Sequence, residues 1–356
     1  MIKQTKIIDP LKELLLSGNE NLTSFEKLNE LLKINHHSPT SSSMPLGIYA
    51  FRYLFSTQEQ RREFDGSANM ASGVAVNDAL QFHYSDTIWS FNPNQKKLAP
   101  HKNDKLSKEE AIAKAMEKFN EYVPVNETDR LKKEHFQETI PQTCQQGFIA
   151  FDSIGVKNSK EVVAEDSINH IDNRLSLPIV GRTDLHFTDF KVPLRSGTAP
   201  SSVMAEAPFL SICELKTSWS RIGRAKRDGT RSFSSAKLPS RPNITHLQQL
   251  AFYCFAKEKK LSISPYLIYL TEGDFIIYTE KNCADLEPAN LKNYYEQLVQ
   301  NCIRKERLLA RYVDLDEPDM ILSEIAKDVE PIFDHAFYWN IGAKHYARAK
   351  EIWSTK

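Results

Sequence analysis

Three charged residues in two strand-like runs have the types and spacing that phosphodiester chemistry needs. In residues 178–187, PIVGRTDLHF, a strand period of two places Val180, Arg182, Asp184 and His186 on one face. In residues 209–217, FLSICELKT, the same period puts Leu210, Ile212, Glu214 and Lys216 together. An acid and a lysine two apart on a strand point the same way, and a sheet could bring Asp184 beside them. Two converging carboxylates repel each other unless a divalent cation lies between them, and oxygen ligands suit Mg²⁺ or Mn²⁺. A neighbouring lysine can orient or activate a water, or stabilise charge on a phosphate. Together these parts make a metal-assisted phosphodiester-hydrolysis site.

The surrounding pattern supplies elements to hold such a site. Residues 147–156, GFIAFDSIGV, read as a β-rich run, and so do the two runs just described. Residues 191–207 read as a loop between them. THLQQLAFYCFAKEK (245–259) reads as a helix, with Gln249 and Tyr253 one turn apart. SPYLIYL and FIIYTE, joined through Glu272, Gly273 and Asp274, read as a hairpin. A long helix then shows Leu291, Tyr295, Leu298 and Cys302 on one face. The N-terminal part is mainly helical, with a helix over 24–34 ending before the polar stretch HHSPTSSS, read as a loop. A capping box at Ser107 and Glu110 starts another helix after a Lys- and Asn-rich surface connection. His36 and His37 lie in the polar stretch with no obvious partners and are read as neither ligand nor base. Strands mixed with helices argue for an α/β fold around a central mixed sheet flanked by helices.

At this point the chain resembles a known family. Gly181-Arg182-Thr183-Asp184, Glu214-Leu215-Lys216 and the QxxxY pair Gln249 and Tyr253 look like the successive motifs of the PD-(D/E)XK nucleases, in their RecB-like exonuclease branch. The resemblance covers roughly residues 70–310. The expected division is a helical region over 1–65, a nuclease core over 66–315 with a helical insertion at about 90–140, and a C-terminal helical extension over 316–356. It implies that Asp184, Glu214 and the Leu215 carbonyl hold Mg²⁺ or Mn²⁺, and that Lys216 is the catalytic lysine. Gln249 and Tyr253 would support the site and the DNA backbone. Glu165 has two readings: a solvated strand-edge carboxylate, or an acidic residue that often precedes the GxxD strand in this branch. Gly73 and the helix after it resemble the branch's GxxxH motif, but Asn77 stands where the histidine would. Asparagine offers a hard cation a carbonyl oxygen and no imidazole. The branch's iron–sulfur cluster needs a C-terminal cysteine trio that does not follow Cys302, so no cluster is expected.

Between the ExK run and the QxxxY helix the charge is lopsided. Arg221, Arg224, Lys226, Arg227, Arg231, Lys237 and Arg241 follow Lys216, with Asp228 as the single acid. Beside a metal site, such a segment is expected to track the phosphates of DNA. Trp219 and Phe233 are interleaved with it, and either could stack on a base.

Over the whole chain of 356 residues, 46 Lys and Arg balance 46 Asp and Glu, so net charge by itself points to no polyanionic partner. Five widely spaced cysteines disfavour a disulfide framework or a zinc site. Cys213 and Cys254, inside apolar segments, read as small buried hydrophobes. No apolar run reaches the ~18 residues of a membrane span, and the N-terminus lacks a secretory pattern. The expectation is a cytoplasmic, metal-dependent deoxyribonuclease, an exonuclease working from DNA ends in replication, recombination or repair. A DNA endonuclease of the same fold and a non-catalytic nucleic-acid-binding module are the alternatives.

Overall fold

Strand β7 (Pro208–Thr217) carries both Glu214 and Lys216, and it is apolar on both faces because helices cover its sheet from both sides. In a computed structural model, residues 34–64, 67–92, 97–190, 208–224, 226, 231–257, 262–312 and 318–354 are described. The expected helix over 24–34, up to Ile34, and the expected loop over 191–207 lie outside these residues. So does Arg227.

The chain divides into two compact units. One comprises residues 66–168 and 181–294, the other residues 1–65, 169–180 and 295–356. The first is an α/β unit. Its order is α1 (Ala68–Tyr84), β1 (Thr87–Asn92), β2 (Lys97–Lys102), α2 (Lys108–Glu121), α3 (Glu127–Ser153), β3 (Glu161–Ala164), the start of β4 (Ser167–His170), the end of β5 (Ile179–Arg182), β6 (Leu185–Phe190) and β7. The ribbon β8 (Arg221–Ile222) and β9 (Phe233–Ser234), helix α4 (Ile244–Lys257), β10 (Ser262–Leu270), β11 (Phe275–Tyr278) and the start of α5 (Pro288–Ala310) complete it. Seven strands form one mixed sheet in the order β11-β10-β7-β6-β3-β1-β2. β7 sits near its centre, parallel to β10 and antiparallel to β6.

Helices α1, α2 and α3 close one face of the sheet. Ala75, Leu80, Phe119, Phe136, Phe148 and Phe151 pack there against Leu185, Phe187, Cys213 and Leu215. α4 covers β7 and β10 on the other face with Leu247, Leu250 and Ala251. Each fully buried aromatic of this kind contributes about 2–3 kcal/mol of apolar transfer energy. Gly147 lets α3 press close, since a Cβ there would sit 3.0 Å from the Leu80 methyls.

Three secondary-structure expectations for this unit need correction. GFIAFDSIGV is not a strand: up to Ser153 it is the last part of α3, whose buried stripe runs Phe136, Ile140, Cys144, Phe148 and Phe151. A short apolar run is ambiguous by itself, and here the helical stripe upstream decides it. The Lys- and Asn-rich connection is partly strand, because β2 pairs with β1 as the outer edge of the sheet. Its lysines and Pro100 suit an edge that must not recruit further strands. PIVGRTDLHF is not one strand: it breaks at Thr183 and Asp184, between β5 and β6. The capping box at Ser107 and Glu110, helix α4, the β10–β11 hairpin and the buried face of α5 are present as read.

The second unit is helical. Its core joins Tyr49, Phe51, Phe55, Leu309, Ile321, Ile325, Tyr338 and Trp353. The polar stretch HHSPTSSS contains a short helix, Pro39–Ser42, rather than only loop. His37 is buried there and hydrogen-bonds Glu306 at 3.0 Å, so it does have a partner. The same carboxylate, fully buried, accepts from the backbone N–H groups of Ser176 (3.0 Å) and Leu177 (2.9 Å). Glu306→Gln would turn an N–H group toward these donors and remove the charge. A loss of about 2 kcal/mol is expected, read as a lower urea midpoint at unchanged slope. No helix among the described residues is long and apolar enough to cross a membrane.

Candidate active site

The sheet register assembles the acids. Leu185 pairs with Cys213 across β6 and β7, so the next position outward sets Asp184 opposite Glu214. Ala164 pairs with Leu185 across β3 and β6, and the same step sets Glu165 opposite Asp184. Glu214 of β7 and the residues just beyond the ends of β6 and β3, Asp184 and Glu165, are thereby near enough for their charges to act on one another. The Leu215 backbone N–H donates to Asp184 Oδ2 at 2.7 Å and fixes that carboxylate against β7.

Glu214 is fully buried; its Oε1 accepts from the Lys216 ammonium, and its Oε2 has no hydrogen-bond partner. A buried carboxylate oxygen with no donor is costly unless something else meets it. Burial, with the Asp184 charge adding to it, raises the Glu214 carboxyl to about 8. Burial also raises Asp184, opposed by Lys216 and by the Leu215 N–H. Burial alone would lower the Lys216 ammonium, but the charges of Glu214 and Asp184 outweigh it and raise its pKa. Lys216 is therefore a cation at neutral pH, a hydrogen-bond donor and not a base.

Helix α4 supports the lysine. Lys216 Nζ donates to Gln249 Oε1 at 3.3 Å, and Gln249 Nε2 donates to the Tyr253 hydroxyl at 3.0 Å. The i, i+4 spacing puts Gln249 and Tyr253 on one face, so the amide reaches both neighbours. The Arg182 backbone N–H also hydrogen-bonds the Tyr253 oxygen. Gly181 makes room for that ring: a Cβ there would lie 2.8 Å from Tyr253 Cε1 and 3.0 Å from Phe252 Cε1.

Helix α1 reaches the third acid. Asn77 Nδ2 donates to Glu165 Oε1 at 3.2 Å, and Gln81 Nε2 donates to the same oxygen at 2.8 Å. Gln81 also donates to the Asp184 carbonyl at 3.2 Å. Asn77 thus faces the site, presenting its amide nitrogen to Glu165. Burial and then the Asp184 charge raise the Glu165 carboxyl, while Gln81 works the other way. Glu165 also holds a left-handed backbone, φ 55°, which costs a non-glycine residue about 1 kcal/mol. Gln81 was not among the residues singled out from sequence. Its signal was its place one turn after Asn77 on the same face. Gly73 brings α1 against β7, where a Cβ would lie 3.0 Å from Thr217 Oγ1.

The basic segment is exposed at Arg221, Arg224, Lys226, Arg231, Lys237 and Arg241. Trp219 is a correction. It is buried, its ring lies 4.9 Å from that of Phe136, and its Nε1 donates to Thr217 Oγ1, so the ring is core and not a base-stacking surface. Phe233 stacks on His135 at 3.9 Å. His246 lies one turn before Gln249, and its Nδ1 meets the Tyr269 hydroxyl at 2.9 Å. Burial, aided by the Lys216 charge, pushes that imidazole down to about 3, so it is neutral.

A divalent cation fits the chemistry of this donor set. Glu214 Oε2 is an unmatched oxygen acceptor, and Asp184 stands opposite it in register. Among the described residues, no three His, Cys, Asp or Glu side chains form a group that could hold a metal by themselves. Two carboxylates with a backbone carbonyl need no such trio.

The chain matches no protein-family model and no curated protein sequence.

Proposed function

We propose that the chain is a Mg²⁺- or Mn²⁺-dependent deoxyribonuclease with a PD-(D/E)XK core of the RecB-like branch, acting as an exonuclease on DNA ends. The observation that carries this reading is the partnerless Oε2 of fully buried Glu214, a residue opposite Asp184 in register whose other oxygen accepts from Lys216. The resemblance in motif order supports it: GxxD, ExK and QxxxY come from β5–β6, β7 and α4, and they meet in one place.

Asp184, Glu214 and the Leu215 carbonyl would hold the cation, with Glu165 and Asn77 beside them. When bound, it would polarise the phosphate and lower the pKa of a bound water. The Lys216 ammonium would donate a hydrogen bond to the negative charge growing on the phosphate oxygens. Gln249 holds that ammonium by its Oε1 and is itself aimed by Tyr253. Gln81 keeps Glu165 oriented, and the exposed arginines and lysines draw the strand in by its phosphates.

The test is cleavage of end-labelled linear and circular DNA with Mg²⁺ or Mn²⁺. The expected result is metal-dependent loss of linear DNA that spares circles and is absent in Lys216→Ala and Asp184→Ala. Cutting of circles would favour an endonuclease. No cleavage, with salt-sensitive DNA binding retained, would overturn the enzymatic reading and leave a binding module. Gln81→Ala is expected to cut activity about tenfold, as loss of a group that orients a metal-site carboxylate commonly does. Titrating Mn²⁺ into the activity assay checks this, since the loss should shrink at saturating metal.

A further inference from the structure

Beyond the carboxylates, the end of β7 opens into a cavity of about 580 Å³. Asn69 of α1, Arg221, Ser234, Ser235 and Lys237 line it, with buried Trp219 contributing to one wall. None of its lining residues is acidic, and its polar side chains are hydroxyls, an amide and two cations. Such a set suits an anion with several oxygens. The walls are tied together from behind, where Glu272 Oε1 accepts from Ser220 Oγ (3.1 Å) and from the Ala236 N–H (3.4 Å).

The place of this cavity matters. Ser218 follows Lys216 by two residues, so the wall begins within about 7 Å of the lysine along the chain. Asn69 precedes Asn77 by eight residues on α1, about 12 Å along the helix axis. A strand bound at the carboxylates would therefore carry a neighbouring phosphate toward it. We propose that the cavity is a phosphate subsite, which holds a phosphate of the nucleic-acid strand beside the one at the carboxylates and sets the register of the strand. This rests on the nuclease reading for the identity of the anion.

The test measures binding of a fluorescein-labelled ten-nucleotide oligothymidine in EDTA, over a range of salt. The Arg221→Ala/Lys237→Ala protein is compared with Lys281→Ala/Lys292→Ala, which removes equal charge from the same unit outside both the cavity and the basic segment. All four residues are exposed, and melting curves check that both variants fold. The expected result is at least a tenfold loss of affinity for the first variant, with the salt slope falling by about 0.7, the value for one phosphate contact on a single strand. The second variant should lose less than threefold. Equal losses, or no oligonucleotide binding by the wild type, overturn the proposal. Oligonucleotides with a 5′-phosphate, a 3′-phosphate or neither separate two sources of the anion. A gain from one terminal phosphate, lost in the first variant, identifies an end; selective loss without any such gain identifies an internucleotide phosphate. Binding and cleavage fail separately. If the wild type cuts DNA but the two variants bind alike, the subsite falls and the nuclease stands. If it never cuts but the first variant binds selectively worse, the nuclease reading falls.

Discussion

Glu214→Gln is expected to abolish metal-dependent cleavage, by at least ~10³-fold, while making the metal-free protein more stable above pH 7. The stability half follows from linkage. The Glu214 carboxyl titrates at about 8 in the folded protein against 4.5 as its ordinary value. Below pH ~4.5 it is protonated in both states and contributes no pH dependence. Between 4.5 and 8 the unfolded chain releases the proton and the folded protein keeps it, so stability falls as pH rises. Above 8 the loss is complete, on the order of 5 kcal/mol at about 1.4 kcal/mol per pH unit. Glutamine cannot titrate, so thermal midpoints of the variant should decline less over pH 5–9 than those of the wild type, the remaining slope coming from Asp184 and Glu165. Adding Mn²⁺ should reverse the wild-type decline, most strongly at pH 8, because the cation favours the carboxylate. It should leave the variant unmoved. A wild-type midpoint independent of both pH and Mn²⁺ would count against Glu214 as a ligand.

Gly181→Ala should be nearly as damaging for a different reason. The added methyl would lie 2.8 Å from Tyr253 Cε1 and 3.0 Å from Phe252 Cε1. Both rings are fully buried, so neither can swing aside into solvent. Overpacking of this kind costs about 1–3 kcal/mol. The ring that must yield is the one that positions Gln249, and through it Lys216. The expected outcome is a lowered urea midpoint together with a fall in cleavage rate at saturating DNA, while DNA affinity changes little. Combining Gly181→Ala with Tyr253→Leu should recover part of the stability and none of the rate. If the double variant recovers the rate, Tyr253 is only filling space.

Much of the candidate site was legible because its members lie at short periods within single elements. Glu214 and Lys216 share a face by strand alternation, and Gln249 and Tyr253 share one by the helical turn. The position of Asp184 opposite Glu214 was an expectation that the β6–β7 register makes specific. What escaped the sequence is tertiary. Gln81 meets Glu165, 84 positions away, and no local pattern marks that contact. GFIAFDSIGV looks like a strand until the stripe from Phe136 onward is traced through it. Trp219 has the composition of a base-stacking residue, and only Phe136, far upstream, shows it to be core. The strand break at Thr183 and Asp184 was hidden because residues on both sides favour strand.

The route of the chain between Glu165 and Asp184 has a consequence for how the protein can be cut down. After the first acid the chain leaves the α/β unit, and residues 169–180 belong to the helical one before the second acid is reached. Within that excursion, Leu177 packs in the helical core and Leu177 N–H is held by Glu306. A fragment trimmed to residues 66–294 would strip this segment of its partners while leaving both acids in place. Neighbours in register would then be joined through the β4–β5 pair and an unsupported connection of residues 171–178, whose closure entropy that pair and the sheet must overcome. Loosening the helical unit should accordingly show up as faster amide exchange at Glu165 and Asp184, long before the sheet itself unfolds.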